Sequence, residues 1–93
     1  MVEIKIDENY RYENVELTSA KVNADRVTLK NNKVIRIDNA RAYIGNDEFY
    51  FSVYEKGQGN LAYNVNNVSA GVDAMSIVNE FITFVENDIA PQA

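Results

Sequence analysis

Residues 69–88, SAGVDAMSIVNEFITFVEND, form the one long stretch of this chain whose apolar residues recur at helical spacing. Met75, Val78, Ile82 and Val85 follow one another three or four residues apart, and Ala74, Ile77, Phe81 and Phe84 widen the apolar arc on either side. A narrow polar stripe is left for solvent, made of Asp73, Ser76, Glu80, Thr83 and Asn87. Ser69 or Asp73 can accept backbone N–H groups as the N-cap, and Pro91 prevents continuation past the end. A helix this apolar needs a surface to cover, and residues 1–66 read as that surface.

Val2, Ile4 and Ile6 point one way and Glu3 and Lys5 the other, so residues 2–6 are expected to form a strand. A second strand carries Tyr10, Tyr12, Val15 and Leu17, with a turn or kink at Glu13-Asn14. Residues 18–25 fit two periods, since Ala20, Val22 and Ala24 alternate while Ala20, Ala24 and Val27 also suit a helix; the β-branched neighbours favour a strand.

From Val27 onward the pleat turns residue parity into a test of register. Val27, Leu29, Ile35 and Ile37 are all odd, so one shared face requires a three- or five-residue loop, such as Lys30-Asn31-Asn32 with Asn32 left-handed, instead of a two-residue Asn31-Asn32 turn. After Ile37 the apolar set moves to the even positions Ala40, Ala42 and Ile44, and a bulge at Asp38-Asn39 explains this better than a tight turn, which would oppose Arg36 and Arg41. A two-residue Asn46-Asp47 turn is then expected to set Ile44, Ala42 and Ala40 against Phe49, Phe51 and Val53, with Tyr43 against Tyr50 behind them. A Gly57-Gln58-Gly59 loop with Gly59 left-handed sets Val53 against Tyr63 and Phe51 against Val65. Small Ala40 and Ala42 beside Phe49 and Phe51 form a groove for Phe81 or Phe84. The expected fold is therefore α+β in a single domain: an antiparallel meander of five or six strands, one helix packed across one face, and a frayed tail at 89–93.

Chemistry is limited by what the chain lacks. Neither histidine nor cysteine occurs, which excludes disulfides, conventional catalytic triads and thiolate zinc sites. Asp7-Glu8 and Asp47-Glu48 fall at turns, where neighbouring side chains diverge, and Asn46-Asp47-Glu48 lacks the spacing of a calcium loop. Gly57-Gln58-Gly59 has neither the third glycine nor the following helix of a phosphate cradle. No enzyme activity, cofactor or metal is expected. The opening residues show neither a basic start nor an apolar run, so a cytoplasmic protein with no membrane segment is expected.

Charge is distributed unevenly. Residues 1–56 hold ten acids and nine bases, whereas residues 57–93 hold Asp73, Glu80, Glu86 and Asp88 with no base, which places four of the five surplus negative charges on the helical stretch. Direct nucleic-acid binding, which relies on basic patches, is disfavoured. Two surfaces are candidates for binding a protein. One is the acidic helix, through Asp73, Glu80, Glu86 and Asp88; the other is a tyrosine face of Tyr43, Tyr50 and Tyr54 on the side of the sheet away from the helix. The expected function is a non-enzymatic accessory or inhibitor protein engaging a larger, basic partner. The alternative is a homodimer or larger homo-oligomer built on the apolar helix or an open sheet edge.

Overall fold

A computed structural model describes residues 8–57 and 60–89. Five strands, β1 (Glu8–Glu16), β2 (Lys21–Lys30), β3 (Lys33–Ile44), β4 (Asp47–Gly57) and β5 (Asn60–Asn66), precede one helix, α1 (Ala74–Ile89). The strands pair antiparallel in sequence order as one meander sheet. This is the α+β architecture expected from the hydrophobic pattern. Residues 18–25 resolve as a tight turn followed by strand, with the Leu17 N–H donating to the Ala20 carbonyl at 2.8 Å. The strand expected at 2–6, the conformation of Gly59 and the tail beyond Ile89 lie outside the described residues.

The register departs from expectation between β2 and β3. Lys30 faces Lys33, so the connection is a two-residue turn in which Asn31 and Asn32 both have positive φ, 54° and 66°. That handedness matches the natural twist of a hairpin, and asparagine tolerates it. The parity mismatch is absorbed one step later: Thr28 faces Arg36 but Leu29 faces Val34, leaving Ile35 as the extra residue. Val34 therefore enters the core and Ile35 stays half-buried, the reverse of the expected pattern.

At Asp38-Asn39 the expected bulge is present. Ile37 faces Val53 and Ala40 faces Phe51, and Asn39 has a φ of 52°. β2 changes parity at the same level, from Ala24 to Val27, so Ala24 still meets Ala40 and Val27 still meets Ile37. β1 follows with a shift at Asn14, φ 55°, between Tyr12–Ala24 and Val15–Val22. A row of irregularities thus crosses three strands, and bulges of this kind bend a sheet and increase its twist.

The β3–β4 turn is Gly45-Asn46, not Asn46-Asp47. Ile44 faces Asp47, Ala42 faces Phe49 and Ala40 faces Phe51. Gly45, with φ 60°, supplies the positive first position that this hairpin needs. The shift amounts to two residues, so the faces are kept, but Tyr43 now opposes Glu48 and Tyr50 opposes Arg41. The β4–β5 register, with Val53 against Tyr63 and Phe51 against Val65, is as expected.

Helix α1 begins at Ala74, directly after Asp73, the second of the two expected caps. Asp73 is the cap: its Oδ1 accepts the Ser76 N–H at 3.1 Å. Ser69 instead opens a turn, its carbonyl accepting the Val72 N–H at 3.2 Å, with Gly71 at φ 84°. Ala74, Ile77, Val78, Phe81, Ile82 and Val85 are buried, whereas Met75 and Phe84, which the pattern assigned to the apolar arc, are 40% and 39% exposed. Phe81 is fully buried, edge-on to Tyr12 at 5.8 Å and to Phe51 at 6.1 Å.

Candidate functional site

The four helix acids are each engaged within the chain. Asp73 caps α1. Glu80 Oε2 accepts both the backbone N–H of Thr18 at 2.7 Å and its hydroxyl at 2.9 Å, tying the helix to the β1–β2 turn. Glu86 Oε2 accepts the Val34 N–H at 2.9 Å, and its Oε1 lies 4.0 Å from Lys33 Nζ. Asp88 Oδ2 accepts the Tyr12 hydroxyl at 3.2 Å. Burial, and then the Asp88 carboxylate, push the Tyr12 phenol well above its ordinary pKa. Three of these acids thus bridge the helix to the sheet or its turn and the fourth caps the helix, while Asp73 and Asp88 remain exposed.

The outer face of the sheet has no covering element among the described residues. Here Arg41 organises two of the three candidate tyrosines. Its Nη1 donates to the Tyr43 hydroxyl at 3.3 Å, and its guanidinium carbon stands 4.7 Å from the centroid of the Tyr50 ring. The Tyr50 hydroxyl in turn donates to Glu48 Oε1 at 3.0 Å. The hydrogen bond to Tyr43 raises the Arg41 pKa, and the bond to Glu48 raises that of Tyr50. The guanidinium thus stacks on one ring and donates to the hydroxyl of the other, contacts that narrow the orientations open to all three side chains.

Tyr54 is different. It is 49% exposed and faces Arg36, on the far side of the Asp38-Asn39 bulge from Tyr50. The three tyrosines share one face, as the pleat implies, but Tyr54 lies four residues along β4 from Tyr50 and outside the Arg41 cluster.

Beside Arg41 the outer face is hollowed into an open trough of about 670 Å³. Its lining includes Asn14, Asp25 and Asn39, the residues at the row of bulges, together with Asn23, Tyr43 and Tyr50. Asn23 Oδ1 accepts the Asn14 N–H at 2.6 Å and so holds the β1 bulge in place. Arg11, also in the lining, is paired with Glu13 at 2.9 Å. Pattern reading singled out the tyrosines but neither Arg41 nor Asn23. Their roles depend on which residues oppose them across β2, β3 and β4, and the alternation of one strand carries no such information.

No group of three or more acids among the described residues could hold a metal ion. No described helix is long and apolar enough to cross a membrane. Neither a family model, nor a curated protein, nor a solved structure matches this chain.

Proposed function

We propose that this chain is a non-enzymatic protein-binding module, an accessory or inhibitor-type protein, and that its contact surface is the outer sheet face around Arg41, Tyr43 and Tyr50. The observation that carries this reading is the Arg41 cluster: three side chains in mutual contact beside an open trough, with no covering element among the described residues. Tyrosine and arginine are the residues that most often dominate binding energy at protein interfaces, because they offer large contact areas with little rotamer freedom left to lose. The helix acids support the reading by contrast, since each has a carboxylate oxygen engaged in a hydrogen bond within the chain. A basic partner suits a chain of net charge −5 whose trough carries the exposed carboxylate of Asp25, while its arginines are already held by Glu13 and by the tyrosines.

The test is affinity capture from the native host followed by titration of the captured partner against variants. Tyr50→Ala and Arg41→Ala are expected to weaken binding by about 2 kcal/mol or more each, as hot-spot residues do, with unchanged thermal melting. Asp73→Ala, Glu80→Ala and Glu86→Ala should lower stability and leave the affinity of the folded fraction alone. Affinity that survives both outer-face substitutions but falls with the helix substitutions would transfer the contact surface to α1.

A further inference from the structure

The two edges of the sheet are built differently. β1, at one edge, carries Glu8, Arg11, Glu13 and Glu16 in nine residues and is broken by the shift at Asn14. Charges and bulges of this kind stop an edge from pairing with another strand. β5, at the other edge, reads Asn-Leu-Ala-Tyr-Asn-Val-Asn with no charge and no proline, and its register with β4 is unbroken from Leu61 to Asn66. The neutral stretch is wider than the strand, because no charged residue occurs between Lys56 and Asp73.

The flank of this edge is apolar as well. Tyr63 reaches over to α1, its hydroxyl donating to Asn79 Oδ1 at 3.4 Å. Met75 stands one helical turn before Asn79, on the same side of α1, and is 40% exposed. An edge that carries no protecting device among the described residues, bordered by an exposed methionine, is suited to pairing.

We infer that β5 pairs antiparallel with β5 of a second copy of this chain, about a two-fold axis through Tyr63. That register sets Leu61 against Val65 of the other copy and Asn60 against Asn66. It joins the sheets into one continuous layer of ten strands, five from each copy, with both helices on one face. Two chains of net charge −5 repel each other over most of their surface, and the stretch from Gly57 to Val72 is where they can meet without opposing charges.

The inference does not rest on the outer-face reading, since the Arg41 cluster stays open in such a dimer.

Sedimentation equilibrium of the full chain, with excimer fluorescence as a second measurement, tests this. The wild-type chain should be a dimer, and Asn64→Glu combined with Met75→Glu should weaken it at least tenfold with unchanged circular dichroism, because both positions are exposed and the two new carboxylates at position 64, each opposite Ala62 of the other copy, become diagonal neighbours across the axis. The chain has no cysteine, so Asn64→Cys labelled with pyrene should give excimer emission, and labelled Glu16→Cys on β1 should give none. A strict monomer up to about 1 mM would overturn the inference. So would a dimer that shows no excimer at position 64, or one abolished by Tyr50→Ala but not by the β5 and Met75 charges.

Discussion

Glu86, near the end of α1, accepts the backbone N–H of Val34 at 2.9 Å, a bond between residues 52 apart in sequence. It falls beside the Ile35 bulge, where β3 has just left the two-asparagine turn, and it gives a partly buried N–H a charged acceptor. Lys33 stands on the other carboxylate oxygen at 4.0 Å but is 76% exposed, against 25% for Glu86. The two contacts differ accordingly. Glu86→Ala leaves a partly buried N–H without its acceptor and should cost about 1–3 kcal/mol in urea unfolding, whereas Lys33→Ala should stay within about 0.5 kcal/mol.

The start of α1 offers a sharper comparison between two candidate caps. Asp73→Ala removes the acceptor for the Ser76 N–H and should destabilise by about 0.5–2 kcal/mol. Ser69→Ala keeps the carbonyl that closes the preceding turn and should change stability by less than about 0.5 kcal/mol. Thermal melts of the two variants side by side decide between them.

Tyr12 makes stability depend on alkaline pH. Its phenol is held neutral by burial and by the Asp88 carboxylate, so its folded pKa lies above the unfolded value of 10. The associated stability is complete below pH 10 and is lost as pH rises from there towards the folded value, since the unfolded chain releases the proton first. Wild type should therefore lose more stability than Tyr12→Phe between about pH 9 and about pH 11. The raised phenol of Tyr50 is common to both proteins and drops out of the difference.

The Asn31-Asn32 turn should respond to backbone conformation alone. Asn32 has a φ of 66°, so Asn32→Ala is expected to cost about 1 kcal/mol and Asn32→Gly to lie within about 0.5 kcal/mol of wild type in urea unfolding. Equal effects from the two substitutions would show that the turn is not the two-residue form described.

How far pattern reading reached can be followed strand by strand. The β4–β5 pairing was legible because a glycine-bounded loop and two alternating runs leave few registers that bury Phe51 and Val53 together. The Asp38-Asn39 bulge was legible because the apolar residues change parity within one strand. The β2–β3 turn was misread for the same reason that made parity useful: an odd mismatch can be absorbed by a longer loop or by a bulge, and alternation alone does not separate them. The Ile35 bulge took up the mismatch, which left the favourable two-asparagine turn intact. The site divides along the same line, with the outward tyrosines visible in the pleat and Arg41 visible only once Tyr50 is known to oppose it.

The sequence by itself determined the class of fold, the buried side of α1 around Phe81, and the absence of histidine and cysteine, because periodicity and composition are local properties of the chain. Only the tertiary structure decided what the four helix acids do. Three of them are bound to groups 52, 62 and 76 residues away, and those distances are closed by the way the bent sheet seats the helix. The same strand pairing set Arg41 opposite Tyr50 and left Tyr54 opposite Arg36. Charge on a helix can be counted from residues, but whether it faces solvent or fastens the helix to its sheet depends on groups that folding brings within hydrogen-bonding range.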